Sequence, residues 1–503
     1  MKKWIVLLLL GAMLFQLAAC APQTPVDETE AATDAATEAA TEAATEEATE
    51  PETEDPSMHK LAEDLDFAGA SYTMAFAGSS ANIEEYYVEE SDGSAFGNAV
   101  YNRTKDAESF LNVDVKVIEK MEWEEFTNLY RAGDDVVQMY MFHCINHVND
   151  AVMGGYLYNI DTLPYIDMDA DWWDRGQMND LKLGKNTYYA ANDFLVKQTN
   201  TIMFNKAMIA ANNLEDPYEL LFSGKWTMDK FFSMAEAVAN DTNGDDVINV
   251  GDTFGYAYGD GSQLIDFMTA AGIDTAKINE EGKVELVINT EKTAQWVEKM
   301  YRIFELKNVY SDNPFKEKDQ RIRFADGMLL FNASSPRSLI SAAEYTFDVG
   351  MLPHPKWDEA QEEYRCLNWA SCMSVPGQIK NPDLVGAVME YLAWHSSQQF
   401  LPAYYDQTLG TKYAQDEQTR AAVELIFDSI VFDPAENYFA FSEGTSQFFY
   451  LGMQVGTYGE KDFASFCQTH EANAAATIDK FYTEMTAREN GIPMETDTAE
   501  AAE

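Results

Sequence analysis

The apolar positions along the chain change period in a regular order. From Ser71 to Ala77 an apolar-rich run predicts a strand that enters the small-residue loop Gly78-Ser79-Ser80. Phe96 to Phe110 carries a helical pattern, after which Val113, Val115 and Val117 alternate with polar residues, the period of a strand with one buried face. The cycle repeats with a helix through Phe126 and Tyr130, a stop at Gly133 and a strand from Val136 to Met141. Strand, helix, strand is the start of a parallel sheet joined by crossovers. Such a sheet binds ligands beyond the carboxyl ends of its strands, where the third strand delivers Phe142 and His143.

A second α/β region begins near Asp193. It shows a strand from Thr201 to Phe204 and a helix opened by Asp216 with Pro217 in its first turn. A helix capped by Thr227 then puts Met228, Phe231, Phe232, Ala235 and Val238 on one face. A strand from Val284 to Ile288 meets Thr290, the cap of a helix whose buried stripe is Ala294, Val297, Tyr301 and Phe304. Met328 to Phe331 predicts another strand, and Asn381-Pro382-Asp383 opens a helix that turns Leu384, Val385, Val388 and Leu392 inward. Trp172, Trp173, Tyr404 and Tyr405 read as packing residues.

The N-terminal stretch follows other rules. Lys2 and Lys3 precede an apolar run from Trp4 to Leu17, the pattern of a secretory signal. It is shorter than the about 20 residues that a membrane-spanning helix needs. Its ending, Leu17-Ala18-Ala19-Cys20, resembles the lipobox of bacterial lipoproteins. That resemblance implies removal of residues 1–19 and attachment of acyl chains to Cys20, and so a lipid anchor on the extracytoplasmic face of the cell membrane. An ordinary secretory signal is the alternative. Residues 20–57 are built almost wholly from Ala, Thr, Glu, Asp and Pro, and Glu38, Glu42, Glu46, Glu50 and Glu54 would align and repel on a helix. This is a disordered tether, holding the rest roughly 35 Å from the anchor. An acidic disordered tail is expected over 486–503.

Composition narrows the function. About 440 residues remain after signal and tether, more than one core organises, so two domains are expected. With 34 Lys plus Arg against 85 Asp plus Glu, the charge balance argues strongly against a nucleic-acid partner. Cys144, Cys366, Cys372 and Cys467 show no metal-ligand spacing, and Cys366 with Cys372 is either a pair or two buried thiols.

Four further stretches carry a family resemblance: Phe204-Asn205-Lys206; Gly224-Lys225-Trp226-Thr227 before a helix; Gly350-Met351-Leu352-Pro353-His354-Pro355-Lys356 with Gln361 and Tyr364; and Ser374-Val375-Pro376. In this order the chain, over roughly residues 68 to 485, resembles the extracellular solute-binding proteins of bacterial ABC importers, the broad family that includes maltose- and oligosaccharide-binding proteins. The resemblance implies an α/β, two-lobe periplasmic-binding-protein-like fold with an interlobe ligand cleft and hinge crossings near Asp193 to Thr199 and Leu367 to Ser374. Lobe one would hold 68–194 plus 370–430, and lobe two 195–369 plus 431–485. The implied partners are an oligosaccharide or other small solute and ABC permease subunits, with the receptor acting as a monomer.

A sugar offers a face of C–H groups and a rim of hydroxyls, so its pocket wants aromatic platforms with carboxylates and amides. Candidates at strand ends and crossings are Phe142, His143, Asp193, Tyr258, Asp260, Asn332, Ser334, Ser335, Asn368 and Trp369. Separately, Asp241, Asn243, Asp245, the Val247 carbonyl and Asp252 stand at the spacing of a calcium loop. Asp246 replaces the turn glycine and Asp252 the closing Glu of an EF-hand, so the loop is either a structural Ca²⁺ site or a solvated acidic turn. No nucleophile elbow, zinc motif, phosphate loop or dinucleotide fingerprint is present, and no catalytic residue is assigned. The competing expectation is a surface glycoside hydrolase or lyase, which needs only two carboxylates.

Overall fold

A computed structural model of the chain describes residues 58–78, 82–242, 244–246, 251–258, 261–305, 309–311, 320–342, 344–406 and 416–489. The signal run, Cys20, the tether, Ser79, Ser80, Asn243, Val247, Asp260 and residues 490–503 of the expected tail lie outside the described residues, while residues 486–489, expected in that tail, are helical.

The first sheet forms as its pattern predicts. Strand β1 (Ala70–Phe76) pairs in parallel with β2 (Val113–Ile118) and β3 (Met139–Phe142). Helix α1 (Ala95–Leu111) makes the first crossover; the Ser94 hydroxyl accepts the Gly97 N–H at its start, and Asn112 ends it in the left-handed region. Helix α2 (Trp123–Ala132) makes the second and stops at Gly133, φ 71°. Strand β3 starts at Met139, later than Val136. Gln138 diverts the edge: its side-chain oxygen takes the Thr73 N–H at 2.8 Å, while Val136 is exposed. Helix α3 (Val148–Met153) follows β3.

The second sheet begins with β4 (Thr201–Asn205). Helices α4 (Pro217–Phe222) and α5 (Met228–Val238) follow, capped by Asp216 and Thr227 as the sequence expects. Next come β5 (Phe254–Tyr258) and α6 (Ile265–Ala270). Strands β6 (Ala276–Ile278) and β7 (Val284–Leu286) form an antiparallel pair of their own. The strand expected from Val284 to Ile288 is therefore a short hairpin arm, outside both main sheets. Helix α7 (Glu291–Phe304) is capped by Thr290 and leads to β8 (Val309–Ser311), β9 (Leu329–Ser334), α8 (Ser338–Ala342) and β10 (Val349–Leu352). The strand order is β10-β4-β9-β5-β8, with β5 parallel to β8 and β9, and β4 antiparallel to β9 and β10. Trp226 and Phe231, wholly buried, anchor the apolar cluster between this sheet and its helices.

The chain then returns. Strand β11 (Cys366–Leu367) precedes β12 (Cys372–Ser374), which adds antiparallel to β3 and completes the order β12-β3-β1-β2. Helix α9 (Pro382–His395), capped by Asn381, packs on α1. Helix α10 (Glu417–Asp428) leads into β13 (Ile430–Val431), parallel to β11, then α11 (Pro434–Phe439) and the long α12 (Phe463–Glu489). One boundary needs correction. Helix α10 packs on the second sheet, with Thr419 hydrogen-bonded to the Tyr218 hydroxyl at 2.7 Å and Asp416 paired with Lys206, so residues 417–430 belong to lobe two.

The two crossings are tied to each other and to β13. The Trp369 N–H donates to Gln198 O at 2.8 Å, the Thr199 hydroxyl to Leu367 O at 2.7 Å, and the Asn368 N–H to Val431 O at 3.0 Å. Cys366 and Cys372 are free, buried thiols, as are Cys144 and Cys467. Trp172 and Trp173 are core residues whose indole N–H groups both donate to the buried Glu390 carboxylate, at 2.9 and 2.7 Å. No described helix is long and apolar enough to cross a membrane.

Candidate functional site

The two sheets present carboxyl ends to one another. Parallel β1 and β3 end on one edge, followed by the 83–86 turn and by His143. Parallel β5 and β9 end on one edge of the other sheet, followed by Arg337. Arg337 forms an ion pair with Glu85, so these edges face each other across a cleft beside the tied crossings.

The residues expected to bind ligand differ in exposure. His143, Asp193, Ser334, Ser335 and Trp369 are each partly exposed. The His143 imidazole lies 3.7 Å from the Cys144 sulfur, and burial lowers its pKa, keeping it neutral. The Trp369 indole donates to Asp266 at 3.0 Å and packs partly into the hinge. Others are placed differently. The Phe142 ring is enclosed by Trp123, Phe126, Tyr140 and Tyr189, which makes it a core residue. Tyr258 likewise turns inward against Tyr256 and Phe304. Both ends of strand carry side chains to the inner face because the pleat alternates, and the pattern alone did not say which face. Asn368 is buried in the hinge, where its side-chain oxygen accepts the Ala370 N–H at 3.3 Å. Asn332 is buried within β9, its side-chain oxygen without a hydrogen-bond partner.

A groove of about 370 Å³ opens just past β3. Asn146, Asn149 and Asp150 line one wall; Asn437, Phe441 and Ser442 line the other. Phe441 is 66 % exposed, an apolar ring held out to solvent beside amide and carboxylate groups. The walls are fixed by hydrogen bonds. Asn149 donates to the Ser442 hydroxyl at 3.0 Å, Asn437 to the Cys144 carbonyl at 3.1 Å, and the Tyr438 hydroxyl to Leu181 O at 2.6 Å. His147, with φ 59°, stacks on Trp123 at 4.9 Å and sits 3.1 Å from the Asp150 carboxylate. Sequence reasoning missed this groove, since its second wall arrives only with α11, far along the chain. An aromatic flanked by Asn, Ser and Asp in 437–442 is too common a composition to signal it.

Three buried acids sit at the crossings. Asp266 accepts from Trp369 and, at 2.8 Å, from Asn200. Asp433 accepts the N–H groups of Thr275, Ala276 and Ala435 at 2.6, 3.1 and 2.9 Å, yet burial pushes its pKa up to about 6. Glu436 is wholly buried and meets no nitrogen or oxygen donor; burial, then the charge of Asp433, raise its pKa well above the usual range, so it is held protonated. The adjacent Cys144 thiol is pushed up by burial and by Glu436.

In the acidic loop, oxygens of Asp241, Asp245 and Asp252 lie within 4.8 Å of one another. Asp241 accepts the backbone N–H groups of Gly244, Asp245 and Asp246, and Asp252 accepts that of Thr242 at 2.7 Å. An all-oxygen donor set suits a hard cation such as Ca²⁺.

Residues 104–411 match the sequence profile of bacterial extracellular solute-binding proteins. No curated protein matches the chain. Among solved structures, the chain is similar to an ABC substrate-binding protein of Listeria monocytogenes in complex with cycloalternan, at 14% identity and a TM-score of 0.53, covering 84% of this chain and 100% of that one. The maltose-binding protein MalE of Listeria monocytogenes, in complex with maltose, gives 14% and 0.53, with 85% and 99% covered. UgpB of Mycobacterium tuberculosis, in complex with glycerophosphocholine, gives 15% and 0.56, with 82% and 100% covered. At such identities the likeness is one of fold.

Proposed function

The chain belongs to the family of bacterial extracellular solute-binding proteins, and from that premise we propose that it is a lipid-anchored receptor that captures an oligosaccharide between its lobes and hands it to ABC permease subunits. It is a binding protein of an importer rather than an enzyme, and it works outside the cytoplasm. The observation that carries the ligand class is the groove past β3, where the exposed Phe441 ring stands beside Asn146, Asn149, Asp150 and Ser442. A ring for the C–H face and amide or carboxylate groups for the hydroxyl rim are what a sugar requires. The fold neighbours named with maltose and cycloalternan point the same way, and the one named with glycerophosphocholine marks a polyol ester as the other ligand class to include.

The lipobox resemblance at Leu17-Ala18-Ala19-Cys20 supports the anchor, and the Ala/Thr/Glu stretch after it supports a tether. We further propose that the Asp241–Asp252 loop holds a structural Ca²⁺, on the convergence of three carboxylates. The receptor would act as a monomer.

For the ectodomain beginning at Met58, Phe441→Ala should weaken binding of malto-oligosaccharides roughly tenfold or more, the loss expected for one buried stacking ring. Titration calorimetry on both forms checks it. Equal affinities would remove the groove from the site.

A further inference from the structure

The contact between Glu85 and Arg337 joins opposite lobes, and its surroundings are built rather than incidental. The Glu85 side chain is only 3% exposed, although it is a carboxylate on a short turn. Burial raises its pKa, opposed by the Arg337 charge and the Asn82 side chain, while Glu84 raises it further. One of its oxygens is held by Arg337, and the Asn82 side chain also hydrogen-bonds the carboxyl group. The Asn82 side-chain oxygen, in the amide orientation that satisfies both groups, also accepts from Arg337. Arg337 thus reaches two acceptors on the other lobe with its planar fork.

The turn that carries Glu85 is fixed to the hinge. Arg103, wholly buried, donates to the Glu85 and Tyr86 carbonyls at 3.0 and 2.9 Å. Its guanidinium lies between the Phe194 and Phe400 rings, 4.4 and 4.5 Å from their centroids. The Tyr86 hydroxyl accepts the Val196 N–H of the first crossing at 3.3 Å. A buried carboxylate is costly without a partner. Its cation here comes from the opposite lobe.

We propose that Asn82, Glu85 and Arg337 form a latch that favours the closed arrangement of the lobes, with Arg103 as the positioning residue for its lobe-one half. The latch rests on the reading of two lobes closing over a cleft, but it acts without ligand and without the groove past β3. Its effect is on the closed population, so it lowers the differential affinity that a solute must supply to keep the lobes shut.

The test uses the ligand-free ectodomain with spin labels at Glu119→Cys on lobe one and Glu236→Cys on lobe two, both exposed positions. The native thiols at 144, 366, 372 and 467 are buried and stay unlabelled. The pulsed dipolar distance distribution should shift toward longer separations in Arg337→Ala, with the open-to-closed ratio rising at least about fivefold. Arg337→Lys should retain part of the short-distance population. Glu85→Gln combined with Arg337→Ala should shift no further than Arg337→Ala alone, because the two residues act through each other. Distributions unchanged by Arg337→Ala, or additive shifts in the double variant, would overturn the latch. A failed sugar titration would bear on the ligand reading alone, because no ligand enters this measurement.

Discussion

Glu436 shows how much of the chain's chemistry lies in single buried groups. Among the described residues its carboxyl oxygens have no nitrogen or oxygen hydrogen-bond partner, and burial and the charge of Asp433 raise its pKa, so the folded protein keeps its proton to higher pH than the unfolded chain does. Between the ordinary carboxylate value of about 4.3 and the raised value, the folded state binds more protons, and stability falls as pH rises. Asp433 contributes a slope of the same sign that ends near its pKa of about 6. Glu436 adds to the fall above that value, and Glu85 and Glu390, whose pKa values burial also raises, add slopes of the same sign. In Glu436→Gln the melting temperature should decline less steeply, as pH rises above the ordinary carboxylate range, than in the parent protein. A slope equal to the parent's would mean that Glu436 is not a proton-retaining group. Such residues are the least legible in sequence: Glu390, Glu436 and Arg103 sit among apolar neighbours in helices and look like ordinary surface charges until the fold encloses them. The cap residues Ser94, Asp216, Thr227, Thr290 and Asn381 are the opposite case. Their work is local, so all but Ser94 could be read directly, and Ser94 lies next to the helix start that was read.

At the scale of elements, the parallel core was legible and the antiparallel additions were not. Strands β1, β2 and β3 announce themselves by alternating periods, and their pairing follows from the helices between them. By contrast, β12 joins β3 more than two hundred residues later, and β10 joins β4 after a long excursion. Three- and four-residue strands carry too little pattern to fix a partner at such separations. The strand predicted over Val284 to Ile288 forms, but only as the short arm β7, and its partner β6 carries too little pattern to be read. The acidic loop is an element whose claim can be tested by removal. If Asp241, Asp245 and Asp252 hold Ca²⁺, a chelator should lower the melting temperature of the ectodomain, and added Ca²⁺ should restore it. A melting curve indifferent to both leaves a solvated acidic turn. Even then Asp252 would keep a structural part, since it is wholly buried and accepts the Thr242 N–H.

For the whole molecule, the two sheets, the bonded crossings and the cleft between strand ends form one arrangement. Crossings that hydrogen-bond to one another can bend together while each sheet stays rigid, which is what hinge closure needs. The candidate site was legible only at the level of which loops line it. At the ends of β3 and β5, Phe142 and Tyr258 face the cores, and the groove's outer wall comes from α11 and the residues after it. Topology decides the loops; side-chain direction needs the packed structure.

The central claim is capture without turnover. The most direct measurement is the thermal stability of the ectodomain against a panel of oligosaccharides, polyols, polyol esters and peptides, with each ligand recovered and examined afterwards. A rise of several degrees with one or more oligosaccharides is expected, which is what a few kcal/mol of linkage at saturating ligand gives a chain of this size, together with an unaltered ligand at the end. Cleavage of the ligand during the measurement, or a rise confined to peptides, would contradict it.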